Sequence, residues 1–178
     1  IIAIDLRDND KLVNVEITDG EAEVLLVASH GKSIRFREED VRPMGRSAAG
    51  VRGIKLPAGD EVIALSIMRD GLILTATENG YGKRTPIDDF PVQGRGGQGV
   101  IAIQTTDRNG KTVGALQVAD DDEVMLISSN GTLVRTGVDD ISIMGRNTQG
   151  VRLIRVGKDQ RLVGLARIEA IEDDEECE

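Results

Sequence analysis

Short runs of apolar and β-branched residues recur roughly every ten positions along the chain, and residues typical of turns separate them. Runs of this length bounded by Gly, Asn, Asp or Pro are typical of β-strands. No stretch has the sustained i, i+3, i+4 apolar spacing of an amphipathic helix, so the pattern predicts an all-β fold. The predicted strands are 1–6, 12–17, 24–28, 33–37, 51–56, 62–67, 72–77, 82–86, 100–105, 113–118, 123–128, 133–136, 151–156 and 162–168.

Tight turns between these runs support the same prediction. The dipeptide Asn-Gly stands between apolar runs at 79–80, 109–110 and 130–131. It favours a type I′ hairpin turn, because both central residues of that turn need a positive φ. We therefore expect at least about 40% of the residues in strands and less than about 10% in helices.

The chain contains an internal repeat of about 50 residues. Three segments, Met44–Gly50, Gln93–Gly99 and Met144–Gly150, each contain Gly-Arg, a second glycine four residues after the arginine, and then Val. Upstream of each segment stands another glycine and arginine, in chain order Gly31 and Arg35, Gly80 and Arg84, and Gly131 and Arg135. This length is typical of a four-stranded propeller-type blade, and it predicts about three complete blades and parts of a fourth. The third unit is two residues longer, which we place in its first turn, 106–111.

The composition narrows the kind of core and the compartment. With no Trp, one Tyr and two Phe, the interior must be filled by Val, Ile and Leu. The single cysteine, Cys177, allows no disulfide within the chain, which fits a reducing compartment. No apolar run approaches the roughly 18 residues of a membrane span, so we expect no membrane partner. The sequence begins in the middle of a predicted strand, as expected of a piece of a longer protein.

The net charge of -9 is unevenly distributed. Seven acidic residues and no basic one lie between Glu169 and the end of the chain. Without them, 24 acidic residues face 22 basic ones, so the body of the chain is close to neutral and its basic residues can form a patch. We divide the chain into blades, 1–168, and an acidic tail, 169–178, for which we expect disorder.

The repeated arginines and glycines are the candidate site. Arginines at the same place in successive blades would form a curved basic track, which suits the phosphates of a bent duplex but reads bases poorly. The candidate DNA-binding residues are Lys32, Arg35, Arg46, Arg52, Lys83, Arg84, Arg95, Arg135, Arg146 and Arg152. The box-like loop consists of Gln93, Gly94, Arg95, Gly96, Gly97, Gln98 and Gly99.

Each of these residue types also has a structural interpretation. The arginines can form salt bridges with Asp and Glu of neighbouring strands, or act as edge charges that prevent aggregation. The glycines can simply allow a positive φ or a close approach of two backbone segments. A loop with four glycines in six residues also suits a phosphate, because its backbone N–H groups are unobstructed.

The chain offers little to a catalytic interpretation. His30, the only histidine, stands in a predicted turn, so neither a Ser-His-Asp nor a Cys-His set can be built away from it. The acidic cluster 120–123 lacks the spaced ligands of a calcium loop and is better explained as a solvated turn. No P-loop or dinucleotide fingerprint is present. We expect no catalytic residue, metal site or cofactor in this chain.

The segment 93–99, Q-G-R-G-G-Q-G, resembles the glycine- and arginine-rich box Q-R-R-G-G-K-G found in C-terminal domains of DNA gyrase A subunits. It departs from that box at Gly94 and Gln98, where the family has its second basic residue and its lysine. That family usually carries its complete box in the first blade, so the resemblance implies that the segment here is a degenerate later copy. The segments 80–85 and 143–151 are also similar to blades of this family, and the resemblance covers about residues 1–168.

The resemblance implies a six-bladed β-pinwheel, in which neighbouring blades exchange strands. It implies that duplex DNA wraps around the basic outer rim without sequence specificity, which supports negative supercoiling by an ATP-dependent type II topoisomerase. The catalytic tyrosine and the sites for ATP and Mg²⁺ would lie outside this chain. The implied partners are duplex DNA, the rest of the gyrase A protein and the gyrase B protein, in a bacterial cytoplasm.

Two alternatives remain open at this point. The related C protein of topoisomerase IV has a shorter C-terminal domain of the same fold. A propeller that binds another protein, through the acidic tail and a groove on one face, is an alternative from a different class. The sequence also leaves open whether the blades close into a ring or form an open arc.

Overall fold

The computed structural model describes residues 3–168, which form eleven β-strands and two short 3₁₀-helices. The strands are β1 (Glu23–Ala28), β2 (Lys32–Arg37), β3 (Val62–Met68), β4 (Leu72–Thr77), β5 (Tyr81–Pro86), β6 (Val100–Ile101), β7 (Thr112–Val118), β8 (Glu123–Ser128), β9 (Leu133–Gly137), β10 (Val151–Arg152) and β11 (Leu162–Ile168). The 3₁₀-helices are Glu38–Asp40 and Ile87–Asp89. Strands account for 37% and helices for 4% of the structure, so the all-β prediction is confirmed, with slightly less strand than expected. The predicted acidic tail lies outside the described residues.

The strands form three antiparallel sheets, which we name the first, second and third blades. The first blade has the order β3-β1-β2-β6, the second has β10-β5-β4-β7, and the third has β11-β8-β9. Each blade is built on the hairpin of one repeat unit and takes a strand from the next unit. The first and second blades take a further strand from the unit after that, so that Lys32 pairs with Ile101 and Tyr81 with Arg152. This is the strand exchange of a β-pinwheel that the resemblance implied.

Several predicted strands are shorter or absent because their partners come from other units. The segments 3–6, 12–17 and 51–56 are not strands, and the predicted strands 100–105 and 151–156 are reduced to β6 and β10. The counterparts of 12–17 in later units pair with the hairpin of the unit before, and the described residues contain no hairpin before residue 12. Apolar side chains of 3–17 are accordingly exposed, among them Val15 and Ile17. Without a neighbouring strand, the backbone N–H and C=O groups of such a segment have no strand partner, so the segment does not become a strand.

The two extra residues of the third unit do not both lie in its first turn. The residues Val62, Thr112 and Leu162 occupy equivalent positions in their units. Each pairs with the last residue of the first hairpin strand in the unit before. Measured to these positions, the first turn of the third unit is one residue longer than in the second and fourth units. The other extra residue lies in the turn 119–122, between β7 and β8.

Aliphatic side chains fill the core, as the composition predicted. The inner strands β3, β7 and β11 pack on one another in chain order and join the three blades. One cluster between the second and third blades contains Leu74, Val124, Leu126 and Val138, all fully buried. Two further clusters lie around Leu25 and Ile73, and around Ile34 and Phe36. Apolar clusters therefore join the first blade to the second and the second to the third.

The repeated glycines stand where exchanged strands meet the hairpins. Gly80 has φ +78°, and a Cβ added to it would lie 2.3 Å from the carbonyl oxygen of Ile154. At the equivalent Gly31, that Cβ would lie 2.1 Å from the carbonyl oxygen of Ile103. Gly131 has a similar φ of +84° with open space around it, because no strand of the described residues pairs with the outer edge of β9. The glycines therefore provide both a left-handed turn and room for the incoming strand.

No helix between residues 3 and 168 has the length and apolar character needed to cross a membrane.

Candidate nucleic-acid interface

Two of the three repeated Gly-Arg loops lie at the outer edge of a blade. In the second blade the loop 144–150 starts beside strand β5, where the Met144 N–H donates to the Arg84 carbonyl oxygen at 2.8 Å. After the loop the chain pairs with β5 again, as strand β10. In the first blade the box-like loop 93–99 starts beside β2, where the Gln93 N–H donates to the Arg35 carbonyl oxygen at 2.8 Å. After the loop the chain pairs with β2 as strand β6. Each loop therefore lies at the outer edge of its blade.

Arg46, Arg95 and Arg146 form no ion pair with any carboxylate among residues 3–168. Arg46 is exposed, while Arg95 and Arg146 are half-exposed. Arg95 donates from Nη1 to the Arg52 carbonyl oxygen at 2.6 Å, and Arg146 donates from Nη1 to the Ile101 carbonyl oxygen at 2.8 Å. These two carbonyl groups occupy equivalent places in the repeat. The guanidinium groups are thus fixed in orientation, and donors remain on each for an outside acceptor, because an arginine has five N–H groups.

The glycines of the box-like loop are only partly available to a ligand. The Gly96 N–H donates to the Gly53 carbonyl oxygen at 2.6 Å, and the Gly97 carbonyl oxygen accepts from the Lys55 N–H at 2.8 Å. Gly94 has open space around its Cα. The loop is consequently attached to the segment before β3, so it is not a free cradle of backbone donors. Gln93 and Gln98 flank it, half-exposed and exposed respectively.

The second set of repeated arginines is directed into the protein. Arg84 is 5% exposed, and its guanidinium donates to the carbonyl oxygens of Ile141 and Asp139 and pairs with Asp120. Arg35, mostly buried, pairs with Glu23 and donates to the carbonyl oxygens of Ile87 and Phe90. These carbonyl groups belong to the segment that follows the next unit's hairpin. Arg35 and Arg84 therefore join neighbouring units, as in the structural interpretation of the arginines.

Arg135 shows what the same position looks like without that neighbouring segment. It pairs with Glu123, as Arg35 does with Glu23, but its side chain is 59% exposed. No carbonyl group of the described residues takes the place of those that hold Arg35 and Arg84. The pairing with Glu123 raises the pKa of Arg135 above its ordinary value.

Lys83 is completely buried, although the sequence placed it among the DNA-binding candidates. Its ammonium group donates to the carbonyl oxygens of Gly145 and Arg146, because the loop 144–150 folds over it. Burial, and secondly the charge of Arg146, lower the pKa of Lys83 to about 8, while Asp89 opposes the shift. Lys83 therefore holds the outer loop in place from inside and has no surface for a phosphate.

We expect the stability of the chain to rise with pH above about 8 because of Lys83. Between its folded pKa of about 8 and its ordinary value of 10.5, the unfolded chain keeps this proton and the folded chain releases it. The free energy of unfolding then increases by up to about 1 kcal/mol per pH unit. Urea unfolding at pH 7.5, 9 and 10 measures the slope. The variant Lys83→Met, which cannot titrate there, should lose this part of the increase, and an equal slope in both chains would contradict the assignment.

The remaining candidates lie on the surface. Arg52 and Arg152 are exposed, and Lys32 is half-exposed. Lys32 and Lys55 line one depression together with Gln98 of the box-like loop. Lys32, Arg52 and Arg95 thus belong to the outer part of the first blade, and Arg146 and Arg152 to that of the second.

Two features that the sequence analysis considered for catalysis have structural partners. The His30 Nδ1 lies 2.9 Å from Asp60 Oδ1, in a turn. Burial raises the pKa of Asp60, but hydrogen bonds from His30 and Ser29 outweigh it and hold that pKa below its ordinary value. The acidic cluster 120–123 is divided among partners, since Asp120 pairs with Arg84, Asp122 with Arg167 and Glu123 with Arg135. The turn is thus engaged in ion pairs of its own.

One basic residue near this surface was missed altogether. Arg108 is exposed, and its guanidinium carbon lies 5.0 Å from the centre of the Tyr81 ring. It stands outside the repeated motif, and its position depends on the longer first turn of the third unit. That extra length was the available signal in the sequence.

Comparison with known proteins places this surface in a family. The chain matches the family model described as DNA gyrase C-terminal domain, beta-propeller, over residues 1–19, 22–67, 71–119 and 122–169. It is 54% identical over 179 residues to the DNA gyrase A protein of Salmonella typhimurium, covering 100% of this chain and 20% of that protein. It is 52% identical over 178 residues to the DNA gyrase A protein of Escherichia coli K12, covering 99% of this chain and 20% of the relative. The chain therefore spans about a fifth of the length of these relatives.

Solved structures show the same fold. The C-terminal domain of DNA gyrase A superposes with a TM-score of 0.88 at 28% identity, over 95% of this chain and 58% of that one. The C-terminal domain of DNA topoisomerase IV superposes with a TM-score of 0.89 at 27% identity, over 94% of this chain and 53% of that one. From the repeated outer loops, the exchanged strands and a family match that runs through all of its blades, we conclude that this chain belongs to the DNA gyrase C-terminal domain family.

Proposed function

We propose that this chain binds duplex DNA along the outer edges of its blades, without sequence specificity, and bends it around them. The observation that carries the proposal is the repeated loop, in which Arg46, Arg95 and Arg146 stand at the same place of the repeat with no carboxylate partner among the described residues. The loops of Arg95 and Arg146 lie at the outer edges of the first and second blades. Lys32, Arg52 and Arg152 extend this surface. Arg35, Lys83 and Arg84 support it from inside. Arg135 contributes an exposed guanidinium group to this surface, and that group is paired with Glu123.

The chemistry of this surface favours phosphates over bases. Guanidinium groups bind phosphate oxygens in a forked arrangement, and contacts to the backbone position a duplex without reading its sequence. Bending a site of 20–30 base pairs costs on the order of 1–6 kcal/mol, so several contacts must act together. A repeated outer loop supplies such contacts at regular intervals along a curved edge.

Membership of this family suggests which larger protein uses this DNA binding. We propose that the chain is part of a bacterial, cytoplasmic DNA gyrase A protein that acts with the gyrase B protein, and that wrapping supports ATP-dependent negative supercoiling. The residues that cut DNA and hydrolyse ATP would then lie in other parts of that assembly. A topoisomerase IV domain has the same fold, and the high identity to gyrase A proteins reported above favours gyrase.

The experiment that tests this proposal is a salt titration of DNA binding. The chain is mixed with a labelled duplex long enough to bend around it, and its affinity is measured by gel shift from low to moderate salt. Each neutralised phosphate contributes about -0.9 to the slope of log K against log salt, so three arginines alone predict a slope of about -2.7 or steeper. Two duplexes of unrelated sequence should bind equally.

The same binding assay also distinguishes DNA wrapping from the rival function, the binding of another protein. A propeller that binds another protein would show no preference for a pre-bent minicircle over a linear duplex of the same sequence. We expect the minicircle to bind more tightly, because part of the bending energy is already supplied. A slope near zero, or no binding at low salt, would contradict DNA wrapping.

A further inference from the structure

Tyr81 is the only tyrosine of the chain, and it lies buried at the outer edge of the second blade beneath two arginines. The guanidinium carbon of Arg108 lies 5.0 Å from the centre of its ring, and that of Arg152 lies 5.3 Å from it. Arg152 also donates from Nη2 to the tyrosine hydroxyl at 2.8 Å. Both arginines are exposed, so the ring holds two cations at the surface through cation–π contacts.

A turn with several side-chain hydrogen bonds holds Arg108 next to Tyr81. Asn109, which is completely buried, donates to the carbonyl oxygens of Gln104 and Gln149 and accepts from the Thr106 N–H. From the other side, the side chain of Asn79 donates to the carbonyl oxygen of Arg108 at 3.1 Å. The backbone of Arg108 is therefore fixed to both the hairpin turn before β5 and the outer loop 144–150.

These arginines concentrate positive charge without compensation. Together with Arg155, which is also exposed, they line one concave pocket of about 590 Å³ whose wall contains no acidic residue. None of the three forms an ion pair with a carboxylate of residues 3–168. The guanidinium carbons of Arg108 and Arg152 lie within about 10 Å of each other, since both are near the same ring centre. Like charges at such a distance repel each other near a protein surface, and a bound anion would remove the repulsion.

This arrangement is particular to the second blade. In the first blade the position of Tyr81 is occupied by Lys32 and that of Arg152 by Ile101, as the strand pairing shows. The corresponding first turn, 57–60, contains no arginine. The pocket is therefore distinct from the repeated arginines of the outer loops, although Arg152 follows directly on the loop of Arg146.

We propose that Arg108, Arg152 and Arg155 form a binding site for a single phosphate group above Tyr81. The planar guanidinium groups have donors that the tyrosine hydroxyl does not use, in the forked geometry that fits phosphate oxygens. If the proposed DNA binding is correct, the phosphate is a phosphodiester of the wrapped duplex, and the site fixes the path of DNA across the second blade. Inorganic phosphate offers the same chemistry from a free source.

The single tyrosine gives a direct signal from the site. The chain is labelled with ¹³Cζ-tyrosine, and its one resonance is followed at pH 7.5 with inorganic phosphate, with sodium chloride of matched ionic strength, and with a short duplex. We expect a saturable shift with phosphate and with duplex, and none with chloride. In the free chain the hydrogen bond from Arg152, and then Arg108, lower the pKa of Tyr81 below its ordinary value, and a bound anion should raise it again.

Arg108→Gln tests the assignment, because the residue is exposed and the change should leave the fold intact. The matched control is Arg69→Gln, an exposed arginine in the turn between β3 and β4. We expect Arg108→Gln to abolish the saturable phosphate shift, to weaken duplex binding by about 3- to 10-fold and to reduce the salt slope by about one unit, while Arg69→Gln changes none of these. Arg155→Gln should act in the same direction as Arg108→Gln.

The outcomes separate this site from the proposed function. A wild-type chain that binds duplex while neither phosphate nor duplex moves the tyrosine signal would overturn the site and leave DNA binding intact. A saturable phosphate shift that is lost in Arg108→Gln, in a chain that does not bind duplex, would support the site and overturn DNA binding. A shift with phosphate but not with bound duplex would establish a site for a free phosphate and remove it from the DNA path.

Discussion

Replacing Arg46, Arg95 and Arg146 together by alanine should nearly abolish the binding of duplex DNA at moderate salt. These side chains stand at the same place in the three repeats, and no carboxylate of the described residues neutralises them. The structure holds Arg95 and Arg146 in equivalent positions on two blade edges. The loss of three phosphate contacts should reduce the slope of log K against log salt by about 2.7. Between 50 and 200 mM salt, the decrease in affinity should then be about 40-fold smaller than for the unchanged chain. Single replacements should each reduce the slope by about one.

The control must remove the same charge from elsewhere. Arg69, Lys158 and Arg161 are exposed residues in turns next to the inner strands, away from the outer loops. Their triple replacement by alanine should lower affinity only slightly, through the long-range effect of net charge. Thermal unfolding of both triple variants checks that the fold survives, since Arg95 and Arg146 also donate to carbonyl groups. Equal slopes in the two triple variants would show that the outer loops are not where DNA binds.

Gly80→Ala should destabilise the chain by about 3 kcal/mol, whereas Gly131→Ala should cost only about 1 kcal/mol. Both glycines have a positive φ near +80°, so both substitutions carry the cost of a left-handed alanine. At Gly80 the new Cβ would also lie 2.3 Å from the carbonyl oxygen of Ile154, and the segment that follows the exchanged strand β10 would have to move. At Gly131 the space is open. The difference between the two variants therefore isolates the close approach of the strands.

Thermal unfolding measures this difference. For a chain of this size, about 2 kcal/mol corresponds to a difference in Tm of about 4–8 °C. A second matched pair, Gly150→Ala against Gly50→Ala, should behave in the same way, because only Gly150 has a carbonyl oxygen, that of Gly82, within 2.5 Å of the added Cβ. Equal losses within each pair would mean that the glycines serve the turn alone.

The hairpins of this fold could be predicted from the sequence because their signals are local. The type I′ turn expected at each Asn-Gly pair was wrong, because only the glycine of each pair has a positive φ. The strands 24–28, 72–77 and 123–128 lie within a residue of their predicted bounds, since apolar runs and Gly-containing turns stand next to each other along the chain. The exchanged strands could not be predicted from local pattern, because β6 and β10 pair with residues of a unit two repeats earlier. The same cause shortened 100–105 and 151–156, where only the residues that meet a partner strand have strand geometry.

The repeat identified arginines without distinguishing their roles. Arg84 and Arg146 recur with equal regularity, yet Arg84 is buried and paired with Asp120, whereas Arg146 is half-exposed with no carboxylate partner among the described residues. The difference depends on which segment of a later unit folds against each side chain, and periodicity along the chain contains no information on that. Arg108 was missed for the opposite reason, since it occurs once and its importance depends on Tyr81, which the fold brings beneath it.

Strand exchange also determines when each blade can form during synthesis. Val100 and Ile101 complete the first blade by pairing with Ser33 and Lys32, so the blade remains open until roughly 70 more residues have been added after its own outer strand begins. The second blade likewise waits for Val151 and Arg152. In most repeat proteins each unit contacts only its neighbours, and folding can start anywhere and spread. Here a hairpin that leaves the ribosome exposes an unpaired outer edge until its distant strand follows, and translation itself sets how long that edge remains open to aggregation.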